Sequence, residues 1–201
     1  MRLKSIALTV WDILDPIYYA CTRLKYIGGG DRKSSAFRVR LTLYKGRPVS
    51  LADGTTIQKG DLLLKIHLHN VVLLKNTLAL RNELQKARFL YRSIERSLPD
   101  LALYVRSHPK CHDIKGLIGI TMLNRGYDKL NFEAFPISST GYKWLKWISL
   151  MPIYLLSVTN PFKNMKKHVP TYLFMSKDTL LQKLVLFTPS GELKSNINRS
   201  R

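Results

Sequence analysis

The sequence predicts an α+β domain: an antiparallel meander sheet packed against a long helix, with amphipathic helices on its flanks. Three observations carry this. Residues 37–69 alternate apolar and polar side chains at the two-residue period of a strand. From Val71 the apolar spacing changes to three and four. Beyond that helix the strand-like and helical stretches do not alternate regularly, which argues against a doubly wound parallel sheet. A length of 201 residues suits one domain with a sizeable core.

The first stretch with helical spacing is Leu3, Ile6, Ala7, Val10, Leu14, Ile17, Tyr18 and Cys21, bent or restarted at Pro16. It reads as an amphipathic helix docked on the core. Gly28-Gly29-Gly30 follows as a flexible break, without the spacing of a phosphate-binding loop. FRVRLTLY (37–44) sets Phe37, Val39, Leu41 and Leu43 against Arg38, Arg40 and Thr42, the pattern of a half-buried strand. Turns at Lys45-Gly46, Ala52-Asp53-Gly54 and Lys59-Gly60-Asp61 divide the rest of the meander. Leu73, Thr77, Leu80, Leu84, Ala87, Tyr91, Ile94 and Leu98 mark the long helix, which Pro99 is expected to end. Asp100 to Ser107 forms a further short helix in this reading. LIGITML (117–123) and FEAFPI (132–137) read as strands, Ser138 to Ser157 as a helix containing Pro152, and TYLFMSKD (171–178) as a last strand. Residues 1–187 make the domain, and residues 188–201 a polar, disordered tail.

Composition narrows the function classes. The chain is 45% hydrophobic and 23% charged, far from a disordered composition. Thirty-three Lys and Arg face 13 Asp and Glu, a formal net charge of +20. Such a field attracts polyanions: nucleic acid, an anionic membrane face or an acidic polymer. Cys21 and Cys111 specify no disulfide framework and read as reduced thiols of a cytoplasmic protein. Asp12 and Asp15 would each cost roughly 2.5–3.5 kcal/mol inside a spanning N-terminal helix, and no A-x-A cleavage site follows. Neither export nor a bilayer span is expected.

GRPVSLADGTTIQKGDLLLKIHLHN followed by a long helix, then GITML, LNFEAFPI and PTYLFMSKDTL, resembles the YkoP-like domain of bacilli and related bacteria. The resemblance runs from about Leu3 to Lys183, and the order of the motifs is more specific than any one of them. That family includes small stand-alone proteins, and the same kind of domain also occurs beside polysaccharide deacetylase domains. The resemblance therefore implies a setting in cell-envelope or polysaccharide metabolism. It supplies no reaction, and the chain has no recognisable deacetylase domain whose catalytic residues could be carried over.

The candidate chemistry begins at KIHLHN (65–70). In an extended strand Lys65, His67 and His69 leave one face, and Leu64, Ile66 and Leu68 the other. Two imidazoles at this spacing could bind metal with a third ligand from HPKCHD (108–113), but Lys65 and Lys110 oppose a bound cation. No metal and no cofactor is expected. His67 and Asn70 are expected to cap the following helix and to line an anion or sugar pocket with Lys65. The resemblance places His67 and Asn70 among the motif residues. Glu133, on one face with Phe135 and Ile137, is the other ligand-binding candidate and a conceivable general acid or base. No Ser-His-Asp order, paired carboxylates or activated cysteine can be read, so enzyme status stays open.

Residues 141–168 speak of place. Trp144 and Trp147 are aromatics of the kind found at headgroup depth, with Lys143 and Lys146 beside them and Lys163, Lys166 and Lys167 following. The apolar run from Trp147 to Val158 is too short to span a bilayer and reads as an in-plane contact with anionic lipid. Nucleic acid is the rival polyanion, with Arg38 and Arg40 on an exposed strand face, but no RNP-type aromatic motif, zinc-finger spacing or helix-turn-helix pattern is present. The expectation is an accessory or binding protein of envelope polysaccharide metabolism, cytoplasmic and peripheral to the inner face of the membrane, taking an anionic or lipid-linked sugar ligand. An enzyme working through His67 and Glu133, or a nucleic-acid-binding protein, are the alternatives.

Overall fold

The computed structural model describes residues 24–27, 36–68, 73, 76, 80, 82–122, 126–157 and 169–187. The expected N-terminal helix, the triple glycine, His69, Asn70, Lys163, Lys166, Lys167 and the tail lie outside these residues. In chain order the elements are β1 (Lys25–Tyr26), β2 (Phe37–Leu43), β3 (Val49–Ser50), β4 (Thr56–Ile57), β5 (Leu62–Leu68), α1 (Glu83–Ser107), β6 (Ile114–Thr121), a 3-10 turn (Asp128–Leu130), β7 (Glu133–Pro136), α2 (Thr140–Ser157), β8 (Thr171–Ser176) and α3 (Lys177–Phe187). The class is α+β, with a mostly antiparallel sheet backed by a long helix.

Six strands form the main sheet in the order β1-β2-β5-β6-β8-β7. Every neighbouring pair is antiparallel except β5 and β6. That parallel pair needs a crossover, and α1 lies in the connection. The meander reading of residues 37–69 holds for β2 and β5, which pair directly along their length. It does not hold for β3 and β4, which pair only with each other as a separate hairpin. The hairpin folds over the sheet instead of extending it, with Leu51 and Ile57 packed on the sheet residues Leu63, Ile118 and Phe174.

One face of the sheet carries the main apolar core. Phe37 and Val39 of β2, Leu64 of β5, Leu117 of β6 and Met175 of β8 pack against Leu98, Leu101, Ala102 and Val105 of α1 and Leu180 and Leu184 of α3. This burial explains why α1 runs through Pro99 to Ser107 instead of ending there. The proline removes one helical hydrogen bond at a cost of about 3 kcal/mol. Leu98, Leu101, Ala102 and Val105 fall on one stripe and are all buried, which offsets that cost. Asn82 begins the regular helix, its Oδ1 accepting from the Leu84 N–H at 2.9 Å.

The hairpin roofs one half of the opposite face. Leu51 and Ile57 pack with Tyr44 on Leu63, Ile118 and Phe174. Two polar contacts hold it there. The Glu133 carboxylate accepts the Ala52 N–H through both oxygens, at 2.9 and 3.1 Å. A register shift in the β5–β6 pairing, from Leu62↔Ile114 to Leu63↔Gly116, leaves Lys115 unmatched in the ladder. The Lys115 amine then donates to the Thr56 carbonyl at 3.2 Å and pairs with Asp61 at 3.3 Å.

Candidate functional site

The other half of that second face is where the charged residues gather. The β2–β5 register sets Arg38 opposite His67 and Arg40 opposite Lys65. Alternation along β2 makes these positions polar, and the sequence reading took them as an exposed strand face. Arg38 is instead buried, only 3% exposed, with its guanidinium 4.9 Å from the centre of the Tyr26 ring. Arg40, Lys65 and His67 are half-buried. A solvated face was the wrong expectation because β1 runs along β2, and α2 brings further groups over β5.

From α2 come Tyr142 and Lys146, one turn apart. The Lys146 amine lies 5.4 Å from the Tyr142 ring centre, and that ring stacks on Tyr172 of β8 at 6.4 Å with 24° between planes. Tyr172 sits opposite Ile120 of β6, and Lys65 opposite Ile118, so the tyrosine and lysine rows belong to one sheet face. Burial, then the neighbouring Tyr142 and Tyr44, pushes Tyr172 up to about 12, so its hydroxyl stays protonated.

The electrostatics of this patch run one way. Burial, followed by Lys146 and Arg40, pulls the Lys65 amine down to about 8. Burial and then Lys65, Arg40, Lys146 and Arg38 hold His67 down to about 3, so its imidazole is neutral at physiological pH. Lys146 is lowered by burial and by Arg40. Every charged group acting on these three is cationic. His67 Nε2 is buried without a hydrogen-bond partner among the described residues.

The sequence-derived candidates separate accordingly. Lys65 and His67 come together. Lys146, read beforehand as a membrane contact, joins them. Glu133 shares the sheet face, opposite Phe174, but its carboxylate is turned to Ala52. Sequence reading missed Tyr142 and Tyr172, and it assigned Arg38 and Arg40 to a solvated surface. A register for β2 against β5 would have exposed the clustered cations, but tyrosines 142 and 172 carry no local signal. The HPKCHD segment lies elsewhere: it precedes Ile114, which pairs with Leu62, and His67 stands five positions along β5, roughly 16 Å away. His108 Nδ1 there accepts the Lys110 N–H at 3.0 Å, and Lys177 donates to the Cys111 carbonyl at 3.1 Å. Among the described residues no group of three or more His, Cys, Asp and Glu side chains converges on a metal-sized site.

The outer surface of α2 carries Trp144, Leu145 and Ile148, 60%, 61% and 63% exposed. Trp147 is half-buried and meets Trp144 edge to face at 5.5 Å. Lys143 is half-buried on the same helix. Among the described residues no helix is long and apolar enough to cross a membrane.

Fold and site define a small α+β domain with one apolar, helix-backed sheet face and a second face that is half roofed by the hairpin and half cationic. The chain belongs to the YkoP domain family, whose model matches residues 4–184. It is similar to a Bacillus subtilis (strain 168) protein named "Uncharacterized protein YkoP", 41% identical over 180 residues that cover 89% of this chain and 96% of that relative. No solved structure matches.

Proposed function

We propose that this is an accessory binding protein of cell-envelope polysaccharide metabolism, held at the inner face of the cytoplasmic membrane, with an anionic or lipid-linked sugar as its ligand. The observation that carries the reading is the two-sidedness of α2. Its outer surface exposes Trp144, Leu145 and Ile148, while Lys146 on the same turns reaches the cationic sheet face. An apolar patch beside clustered positive charge suits the interface of an anionic leaflet. The net charge of +20 adds long-range attraction. The polysaccharide setting rests on the family resemblance.

The enzyme alternative draws no support from Glu133, whose two oxygens are held by Ala52. The nucleic-acid alternative loses its strand of exposed arginines, since Arg38 is buried. Co-sedimentation with phosphatidylcholine vesicles, with and without phosphatidylglycerol, tests the membrane contact. Binding to the anionic vesicles is expected to persist at 0.5 M salt and to drop in Trp144→Ala/Ile148→Ala. Binding that vanishes at moderate salt and ignores both substitutions would sink the reading.

A further inference from the structure

We infer that the outer face of α1 is a docking groove for an acidic polysaccharide chain, in which Arg88, Arg92 and Arg96 take the carboxylates of successive sugar units. This deepens the proposed function by giving its anionic sugar a place and a charged group, and it rests on that ligand being anionic.

Helical geometry sets up the row. Leu98, Leu101, Ala102 and Val105 turn one stripe of α1 into the core, and the arginines at 88, 92 and 96 fall outside it. Four residues apart, they stand one above another with neighbours about 5–6 Å apart, and the row spans about 12 Å. All three are exposed. Like charges at this spacing weaken a helix, so the row has no folding reason of its own. Asp100, exposed one turn beyond Arg96, ends the run of positive charge. Glu95 lies to the side, its carboxylate accepting from the Tyr91 hydroxyl at 3.3 Å. A carboxylate from elsewhere in the chain that met one of these exposed guanidiniums would hold it weakly, since surface ion pairs contribute little. A polymer with many linked carboxylates displaces such a partner, so the groove does not depend on the arginines standing alone.

The arginines border an open groove of about 250 Å³. Gln85 and the half-buried Phe89 and Ser93 line it, and Leu80 from the chain before α1 adds an apolar edge. The Ser93 hydroxyl donates to the Phe89 carbonyl at 2.9 Å, which leaves its oxygen able to accept. A volume below the roughly 300–1,000 Å³ of a drug-sized pocket suits one ring at a time of a chain that continues along the helix. Phe89 offers that ring an apolar surface, and Ser93 and Gln85 offer partners for its hydroxyls. Each guanidinium forks onto a carboxylate. Single-stranded nucleic acid is held on successive aromatic platforms, and the lining described here has Phe89 alone.

This groove and the α2 surface point opposite ways. α1 covers the main core on one sheet face, while Tyr142 and Lys146 bring α2 onto the other. The chain can therefore hold a polymer while Trp144 and Ile148 meet a membrane.

The test is fluorescence anisotropy of a labelled oligogalacturonate titrated with the full chain, beside an oligothymidylate of equal charge, at about 0.15 M salt. Arg88→Gln/Arg92→Gln/Arg96→Gln is compared with Lys45→Gln/Arg47→Gln/Lys59→Gln, which removes the same charge from exposed turn positions beside the hairpin. Glutamine is a good helix former, so the α1 variant is expected to fold. Oligogalacturonate binding is expected to weaken about tenfold or more in the α1 variant and only slightly in the turn variant. Arg92→Lys keeps the charge but loses the planar fork, and is expected to weaken binding about threefold. Absence of oligogalacturonate binding overturns the groove. Equal weakening by the two triple variants, or no effect of Arg92→Lys, reduces the contact to net charge and also overturns it. Tighter binding of the oligothymidylate, lost in the α1 variant, would make this a nucleic-acid surface and sink the polysaccharide inference. Vesicle binding without oligogalacturonate binding ends this inference and leaves the membrane reading standing. Oligogalacturonate binding that depends on the arginines, without vesicle binding, supports the groove and removes the membrane contact.

Discussion

His67 shows how a single side chain records its surroundings. Its folded form resists protonation down to about 3, against an ordinary value of 6.5. Above pH 6.5 the imidazole is neutral in both folded and unfolded chains and contributes nothing to pH dependence. As pH falls from 6.5 toward 3, the unfolded chain takes a proton that the folded chain refuses, and stability drops by about 3–5 kcal/mol in all. His67→Met is therefore expected to flatten this acid limb in urea unfolding between pH 4 and 7, at no cost at pH 7. An unchanged acid limb would mean the ring is solvated. Glu133 is a different kind of residue. Its carboxylate secures the hairpin through Ala52, so Glu133→Ala should cost about 1.5–3 kcal/mol and speed proteolysis near residues 52–56.

At the scale of elements, α1 and α2 divide the work. The C-terminal half of α1, beyond Pro99, supplies fully buried side chains to the main core. Leu101→Ala is expected to destabilise by about 2–5 kcal/mol, read from the urea midpoint. A change under 1 kcal/mol would show that the core does not depend on helix continuing past the proline. α2 is the opposite case. Trp144 is largely exposed, so Trp144→Ala should shift stability by no more than about 0.5 kcal/mol while reducing vesicle binding. A large loss of stability would recast the tryptophan as core. The short β3–β4 pair gains its place from Leu51 and Ile57 packing on Phe174 and from the Glu133 and Lys115 contacts.

The whole molecule carries more positive charge than its fold neutralises. With a net charge of +20, self-repulsion raises the energy of the compact state, and screening relieves it. The thermal midpoint is therefore expected to rise by several degrees between 10 mM and 300 mM sodium chloride.

The sequence by itself determined the α+β class, the strands β2, β5 and β8, the helix at 140–157 and the excess of basic charge. Each follows from a period or a composition that a short window contains. His67 and Lys65 were legible as one strand face for the same reason. Tertiary structure decided what that face meets. Whether Arg38 meets water or the Tyr26 ring depends on β1 pairing beside β2, and whether Lys146 meets lipid or Lys65 depends on how α2 lies over the sheet. Pro99 stops a helix by local rules, yet α1 continues because residues far away in the chain bury Leu101 and Val105. Local propensities cost or contribute only a few kcal/mol, and long-range burial, which no local window encodes, outweighs them.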